Sequence, residues 1–237
     1  MAVRYAVPPI ITDGLVLYLD AANRQSYVSG STTWYDAAGS GISGSLINGP
    51  TFSSDNAGSI VFDGVDDCVD LGINKLGPIL NGTSGVTLST WIKPGSLSGE
   101  RTIIFIGING AATLATVQFF NNTLRVGGRS ISTDSFQNTN YSYTTLNTWI
   151  NFVGILNYAL DKMYIYLNGN LVQEGNVTFN STTLVQGTPT VRDSIASYDT
   201  TIYQTSGSIA TTSIYNRALS STEILQNYNS TKARFGL

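Results

Sequence analysis

Large apolar side chains recur at every second position in short runs along this chain, the period of a strand with one face on a core. Residues 14–20, with Leu15, Leu17 and Leu19 in phase, form the first such run, and the polar stretch 20–31 behind it reads as a loop. Trp34, Tyr35 and Asp36 enter a glycine-rich turn, and Asn48-Gly49-Pro50 punctuates the next run. Residues 59–62 and 68–71 are short strands, with turn formers Asp63-Gly64 and Asp66-Asp67 between them, the outline of a β-hairpin. In 86–94 both alternating sets are apolar, Val86, Leu88 and Ile92 against Trp91, so the pattern leaves open which face meets the core.

Further strands are predicted at 101–108, 115–120, 123–127, 149–156 and 162–167. Asn121-Asn122 is a turn, and Asn168-Gly169 predicts a type I′ hairpin into Leu171-Val172. The last strand spans 208–215. Ser220 then stands three residues before Glu223, the capping-box spacing, and Ile224, Leu225 and Tyr228 give one apolar face to a C-terminal helix. About a dozen short strands, no helical pattern before residue 220 and closely spaced turns predict an all-β fold, a sandwich of two antiparallel sheets. No linker divides the run and no repeat period is present, so 13–237 is read as one domain behind an extended N-terminal arm, 1–12.

Composition narrows the function. Apolar residues make up 42% of the 237 and charged residues 11%, so the surface is solvated by Ser, Thr, Asn and Gly. A net charge of -3 without a basic run excludes wrapping nucleic acid. Cys68 is the only cysteine, which rules out an intrachain disulfide and suits a small buried hydrophobe. Pro8 and Pro9 break the apolar N-terminal stretch, so neither a secretory leader nor a membrane span is expected and synthesis in a cytoplasm follows. The apolar arm is expected to dock on a neighbouring subunit or partner shell, with a loose tail as the alternative.

The chain contains no histidine, which removes Ser-His-Asp and Cys-His catalysis and the usual zinc sites. Its glutamates, Glu100, Glu174 and Glu223, are isolated in sequence, and no enzyme activity or cofactor is expected. Asp63, Asp66, Asp67 and Asp70 crowd eight residues: they are ligands for a hard cation such as calcium, or turn formers bonding their own backbone. Alternation along the strand keeps all four from converging. Trp34, Tyr35, Tyr141, Tyr143, Tyr198 and Tyr203 lie in or near loops and are candidates for a sugar-stacking platform, whereas Trp91 and Trp149, inside strands, are assigned to packing.

In order, the blocks GLVLYLDAANRQSY, TTWYDAAGSGISGSLINGPTF, GSIVFDGVDDCVDLG, VTLSTWIKP, TWINFVGILN with MYIYLNGNLV, and IYNRALSSTEILQNYNSTKARFG resemble successive segments of laminin-G-like, concanavalin A-like domains. The resemblance covers about residues 13–237 and implies a jelly-roll sandwich whose members bind sugars, proteins or calcium or serve as structural modules. In many such relatives the loop matching Asp36 shares calcium with an acidic residue on the last strand. Ala210 occupies that strand here, so Asp36 remains as a lone candidate ligand. The Glu-x-Asp-x-x-Glu signature of laminarinase-like relatives is missing.

The closing segment most resembles copies in virion proteins of tailed bacteriophages. It implies a non-enzymatic virion protein exposed on the particle, a capsid decoration or cement protein contacting the major capsid protein or sister copies, with trimers as the expected assembly. A carbohydrate-binding adsorption module and a fibre component are the alternatives.

Overall fold

A computed structural model describes residues 8–107, 113–187 and 190–237. Among these, the chain forms β1 (Leu15–Asp20), β2 (Thr33–Trp34), β3 (Gly44–Ile47), β4 (Thr51–Ser53), β5 (Ser59–Asp63) and β6 (Cys68–Ile73), then a one-turn helix, α1 (Gly77–Leu80). There follow β7 (Gly85–Pro94), β8 (Glu100–Gly107), β9 (Thr113–Phe120), β10 (Thr123–Gly128) and β11 (Gln137–Ser142). The final part holds β12 (Ile150–Asn157), β13 (Lys162–Leu167), β14 (Asn170–Asn176), β15 (Arg192–Ile195), β16 (Ser206–Tyr215) and helix α2 (Ser221–Thr231). A 3-10 turn, Lys232–Phe235, follows α2.

The strands assemble into two eight-stranded antiparallel sheets. Sheet I has the order β14-β13-β12-β7-β16-β5-β4, with β1 pairing β16 beside β5, and sheet II the order β11-β10-β9-β8-β15-β6-β3-β2. Local chemistry sets the hairpins. Asn121 and Asn122 (φ 46° and 62°) join β9 to β10, and Asn168 and Gly169 (φ 51° and 79°) join β13 to β14, each as a two-residue left-handed turn matched to strand twist.

Two expectations need correction. Residues 59–62 and 68–71 do not form a hairpin: β5 pairs β4 and β16 in sheet I, whereas β6 pairs β3 and β15 in sheet II. The connection is a corner between the sheets, and alternation with turn formers looks the same in both cases because pairing partners are distant in sequence. Helical turns also precede residue 220, at α1 and in 3-10 turns at Asp55–Ala57 and Tyr158–Leu160. They are too short for a 3.6-residue period to register.

The ambiguity of β7 is resolved by burial on both faces. Val86, Leu88 and Ile92 join the core between the sheets, together with Phe62, Phe119 and Phe152. Trp91 points the other way, into a cluster with Trp149 and Phe235. The Phe235 ring stacks on Trp91 at 4.0 Å and lies 4.9 Å from Trp149. Trp91 Nε1 donates to Thr231 Oγ1 (2.9 Å), and Trp149 Nε1 to Asn56 Oδ1 (2.8 Å). Arg234 pins the tail by pairing with Asp20 (2.7 Å) and donating to the carbonyls of Asn56 and Gly58.

The capping box is present: Ser220 Oγ accepts from Glu223 N, and the Glu223 carboxylate accepts from Ser220 N (2.8 Å). Arg217 grips the same carboxylate through two nitrogens at 3.1 and 2.7 Å, holding its pKa down at about 2. The arm's residues 1–7 lie outside the described residues. Its remainder runs along α2 of its own chain, where Asn227 Oδ1 accepts from Ile11 N (2.7 Å) and Gln226 Nε2 donates to Pro9 O (2.8 Å). No helix among the described residues is long and apolar enough to cross a membrane.

Asp193 of β15, fully buried, fastens sheet II to the loop before α1. Its carboxylate accepts from the amides of Lys75 (2.9 Å), Leu76 (2.9 Å) and Gly107 (3.1 Å). Burial outweighs these bonds and pushes the carboxyl up to about 6.

Phe235→Ala is expected to cost about 3 kcal/mol and to shift tryptophan emission, because it uncovers two indoles at once; urea unfolding followed by fluorescence measures both. A carboxyl with a raised folded pKa takes up protons on folding, so stability contributed by Asp193 declines as pH rises from about 4 to 6 and then levels. With no histidine to titrate in that window, Asp193→Asn should remove its share of this decline in pH-dependent melts; Asp67, also raised, adds to the decline, while the lowered Glu223, Asp63 and Asp134 give the opposite slope at the acid end.

Candidate functional site

Paired residues on neighbouring antiparallel strands project to the same face of a sheet. Across β8, β9, β10 and β11 the register sets Thr102, Gln118, Arg125 and Asn140 in one row and Phe105, Thr116, Gly127 and Asn138 in the next. Val117, Phe119, Leu124 and Val126, of the opposite parity, belong to the core. The polar rows therefore line the outer face of sheet II.

Contacts between these side chains make a fixed surface. The Arg125 guanidinium lies 3.5 Å from the Phe120 ring centroid and donates through Nε to Asn140 Oδ1 (2.8 Å). Asn140 Nδ2 donates to Asn138 Oδ1 (2.8 Å), and Gln118 Nε2 to Glu100 Oε1 (2.8 Å). Phe136 folds over Gly127, where any Cβ would come within 2.4 Å of its Cζ, so glycine is required for the ring to lie on the strand. Arg129 sits 5.3 Å from the Phe136 ring and donates to the carbonyls of Asp134 and Thr113. Arg and Phe thus alternate along β10 and its extension.

A loop after β15 completes the surface. Tyr198 covers the otherwise outward Phe105, ring centroids 4.1 Å apart, and Tyr203 meets Tyr198 edge-on at 5.9 Å. Burial raises the Tyr198 phenol, an effect opposed by its hydrogen bond with Thr113 and by the charge of Arg129. Asn138 and Asn140 are exposed, Arg125, Phe120 and Phe136 half-buried, and Tyr203 is 41% exposed, whereas Thr102, Phe105, Thr116 and Gln118 of the two rows are buried.

Of the six aromatic candidates only Tyr198 and Tyr203 come together. Trp34 is fully buried and Tyr143 nearly so, both within the core between the sheets, and neither is available to a ligand. The apolar side of a sandwich draws in large rings even when they border loops. Tyr141 is half-buried against that core. Tyr35 is exposed but follows β2, the opposite edge of sheet II from β11.

The aspartates divide similarly. One carboxylate oxygen from each of Asp63, Asp66 and Asp67 falls within a 4.8 Å group at the corner between the sheets. Asp63 Oδ1 accepts from Val65 N (2.7 Å), which lowers its pKa, and Asp67 Oδ2 accepts from Asp63 N (3.0 Å). Burial, and then the charges of Asp63 and Asp66, raise Asp67. Asp70 turns instead to Arg192. Asp36 is separate from the group: Oδ1 accepts from the amides of Tyr18 and Ala38, and Oδ2 from the amide and hydroxyl of Ser40, so it organises its loop. Arg101 bridges corner and aromatic loop, donating to Gly64 O (3.3 Å) and Gln204 O (3.0 Å).

Sequence reasoning missed Glu100, Gln118, Phe120, Arg125, Arg129, Phe136, Asn138 and Asn140. A signal was present, since the Asn121-Asn122 turn fixes the register that brings Arg125 opposite Gln118.

A sequence-family profile described as the concanavalin A-like lectin/glucanases superfamily matches residues 63–225. No curated protein sequence matches. Among solved structures, the receptor-binding domain of a botulinum neurotoxin C/D mosaic superposes with a TM-score of 0.69 at 16% identity, over 92% of this chain and 51% of the other. A botulinum neurotoxin type C structure, described as dependent for cell entry on two ganglioside molecules, gives 0.68 at 18%, over 93% and 52%. The Trypanosoma rangeli sialidase in complex with sialic acid gives 0.69 at 17%, over 97% and 34%. The chain spans about half the length of the toxin structures and a third of the sialidase, and these likenesses are of fold.

Proposed function

The chain belongs to the concanavalin A-like lectin/glucanases superfamily, and from that premise we propose that it is a non-catalytic carbohydrate-binding domain whose contact surface is the outer face of sheet II. The observation that carries this reading is the cluster of accessible side chains on and beside β9 to β11, with Asn138 and Asn140 next to the Arg125 guanidinium and the Phe120 and Phe136 rings. Sugars offer hydroxyls to fixed donors and acceptors and an apolar ring face to aromatics, and this surface supplies both kinds of contact. Structures of similar fold described with gangliosides or sialic acid support a glycan as the ligand class. Asp63, Asp66 and Asp67 are the residues that would hold a calcium ion beside the aromatic loop, using carboxylate and carbonyl oxygens.

A second reading concerns the setting. The closing segment resembles tailed-phage virion proteins, and a glycan-binding domain on the outside of such a particle would adsorb it to sugars. In this reading the partners are the major capsid protein and sister copies, as trimers, in a decoration or fibre role. Quantitative mass spectrometry of purified virions tests it, and absence of the chain from particles rejects it.

For the domain itself, a glycan array followed by titration is expected to give a dissociation constant below about 1 mM for at least one sugar class. Replacing Asn138 and Asn140 together by alanine should weaken that binding about tenfold without changing the melting temperature. Calcium should raise the unfolding midpoint, and Asp66→Asn should abolish the rise. Failure of every glycan to bind, with and without calcium, would remove the carbohydrate reading.

A further inference from the structure

Arg192, Arg217 and Arg234 each pair with a carboxylate: Asp70, Glu223 with Asp13, and Asp20. Arg125 and Arg129, on the outer face of sheet II, have no carboxylate partner within ion-pair distance among the described residues. The charge of Glu100 acts on Arg125 from beyond ion-pair distance, and its carboxylate is held by Gln118. Among the described residues Arg24 and Arg101 also lack a carboxylate, but Arg24 stands in the loop after β1 and Arg101 is taken up by the carbonyls of Ser98, Gly64 and Gln204.

Arg125 differs from an ordinary surface arginine in being held still. Phe120 supports one face of the guanidinium at 3.5 Å, and Asn140 Oδ1 accepts a hydrogen bond from Nε. Among the described residues Nη1 and Nη2 make no hydrogen bond, the one from this side chain being that of Nε. Their planar edge is the half of the group that makes two parallel bonds to a carboxylate, and fixing the plane in advance lowers the ordering cost of binding. Partial burial outweighs the attraction of Glu100 and lowers the Arg125 pKa, so the charge is under-solvated, a condition that an incoming anion relieves. Asn138 is next to it for hydroxyls, and Phe136, lying over Gly127 of β10, supplies a ring.

Building on the carbohydrate reading, we infer that the ligand is an acidic glycan, a sugar bearing a carboxylate, whose carboxylate is received by the Nη1 and Nη2 edge of Arg125. A sulfate ester presents a related anion, so sulfated sugars belong in the test as the competing source of negative charge. Discrimination comes from geometry as well as charge, because lysine at this position would keep the charge and lose the fork.

The test is titration calorimetry of the intact chain with matched pairs: 3′-sialyllactose against lactose, trigalacturonate against galactotriose, and a sulfated galactose oligomer. The carboxylated member of at least one pair should bind about tenfold more tightly than its neutral match, and the preference should shrink as salt is raised. Arg125→Gln should erase the preference, bringing the ratio of acidic to neutral affinity to about one whatever its effect on neutral-sugar binding. Arg125→Lys should restore only part of it, and both variants are to be checked for an unchanged melting temperature. Equal binding of acidic and neutral partners, a stronger response to sulfate than to carboxylate, or an unaltered preference in Arg125→Gln overturns the inference while the carbohydrate reading stands. Absence of binding to any sugar defeats both.

Discussion

Trp91 and Trp149 stand on the outer face of sheet I, and the return of Phe235 onto them is the contact on which the rest of the architecture depends. A sheet with apolar residues on both faces needs a cover on each. Sheet II supplies one and the C-terminal segment the other. Hence the chemistry concentrated beyond β16: a capping box to start α2, Arg217 on Glu223 to aim it, and Arg234 reaching Asp20, Asn56 and Gly58 to hold its end. Asp20 ends β1, so the two ends of the domain are clamped together. Residues 8–11 lie along the same helix, adding hydrogen bonds between their backbone and the side chains of Asn227 and Gln226 to this closure.

That use of sheet I decides where a ligand can go. Its outer face is consumed by α2 over much of its width, and the outer face of sheet II carries the polar rows. Those rows are positioned by ordinary strand mechanics: a two-asparagine turn sets the β9–β10 register, and the core parity of Phe119, Leu124 and Val126 forces Gln118 and Arg125 outward. Rigidity then comes from stacking, since Phe120 under Arg125 and Phe136 over Gly127 limit the rotamers of a surface that would otherwise be mobile.

The aspartate corner and the Tyr198 loop are mechanically joined, because one guanidinium, Arg101, bonds carbonyls of both. A cation bound at Asp63, Asp66 and Asp67 would therefore act on the edge of the aromatic surface through a short rigid link. The same arrangement explains why these aspartates serve turn geometry without an ion: Asp63 and Asp67 cap amides of the corner itself.

How much of this was legible depended on the distance over which each interaction acts. Strand periods, the Asn168-Gly169 hairpin and the Ser220–Glu223 cap are settled by neighbours a few residues apart, so the amino-acid sequence by itself determined the all-β class, most strand positions and the C-terminal helix. It could not say that 59–63 and 68–73 enter different sheets, that Trp34 is core while Tyr203 is surface, or that Asp70 pairs with Arg192 and leaves its neighbours. Nor could it single out Arg125, one arginine among several, as the one seated on a ring with its outer edge free. Those outcomes were decided only by tertiary structure, because each rests on pairing or burial between segments far apart in the chain, where alternation fixes which residues share a face but not what that face will meet.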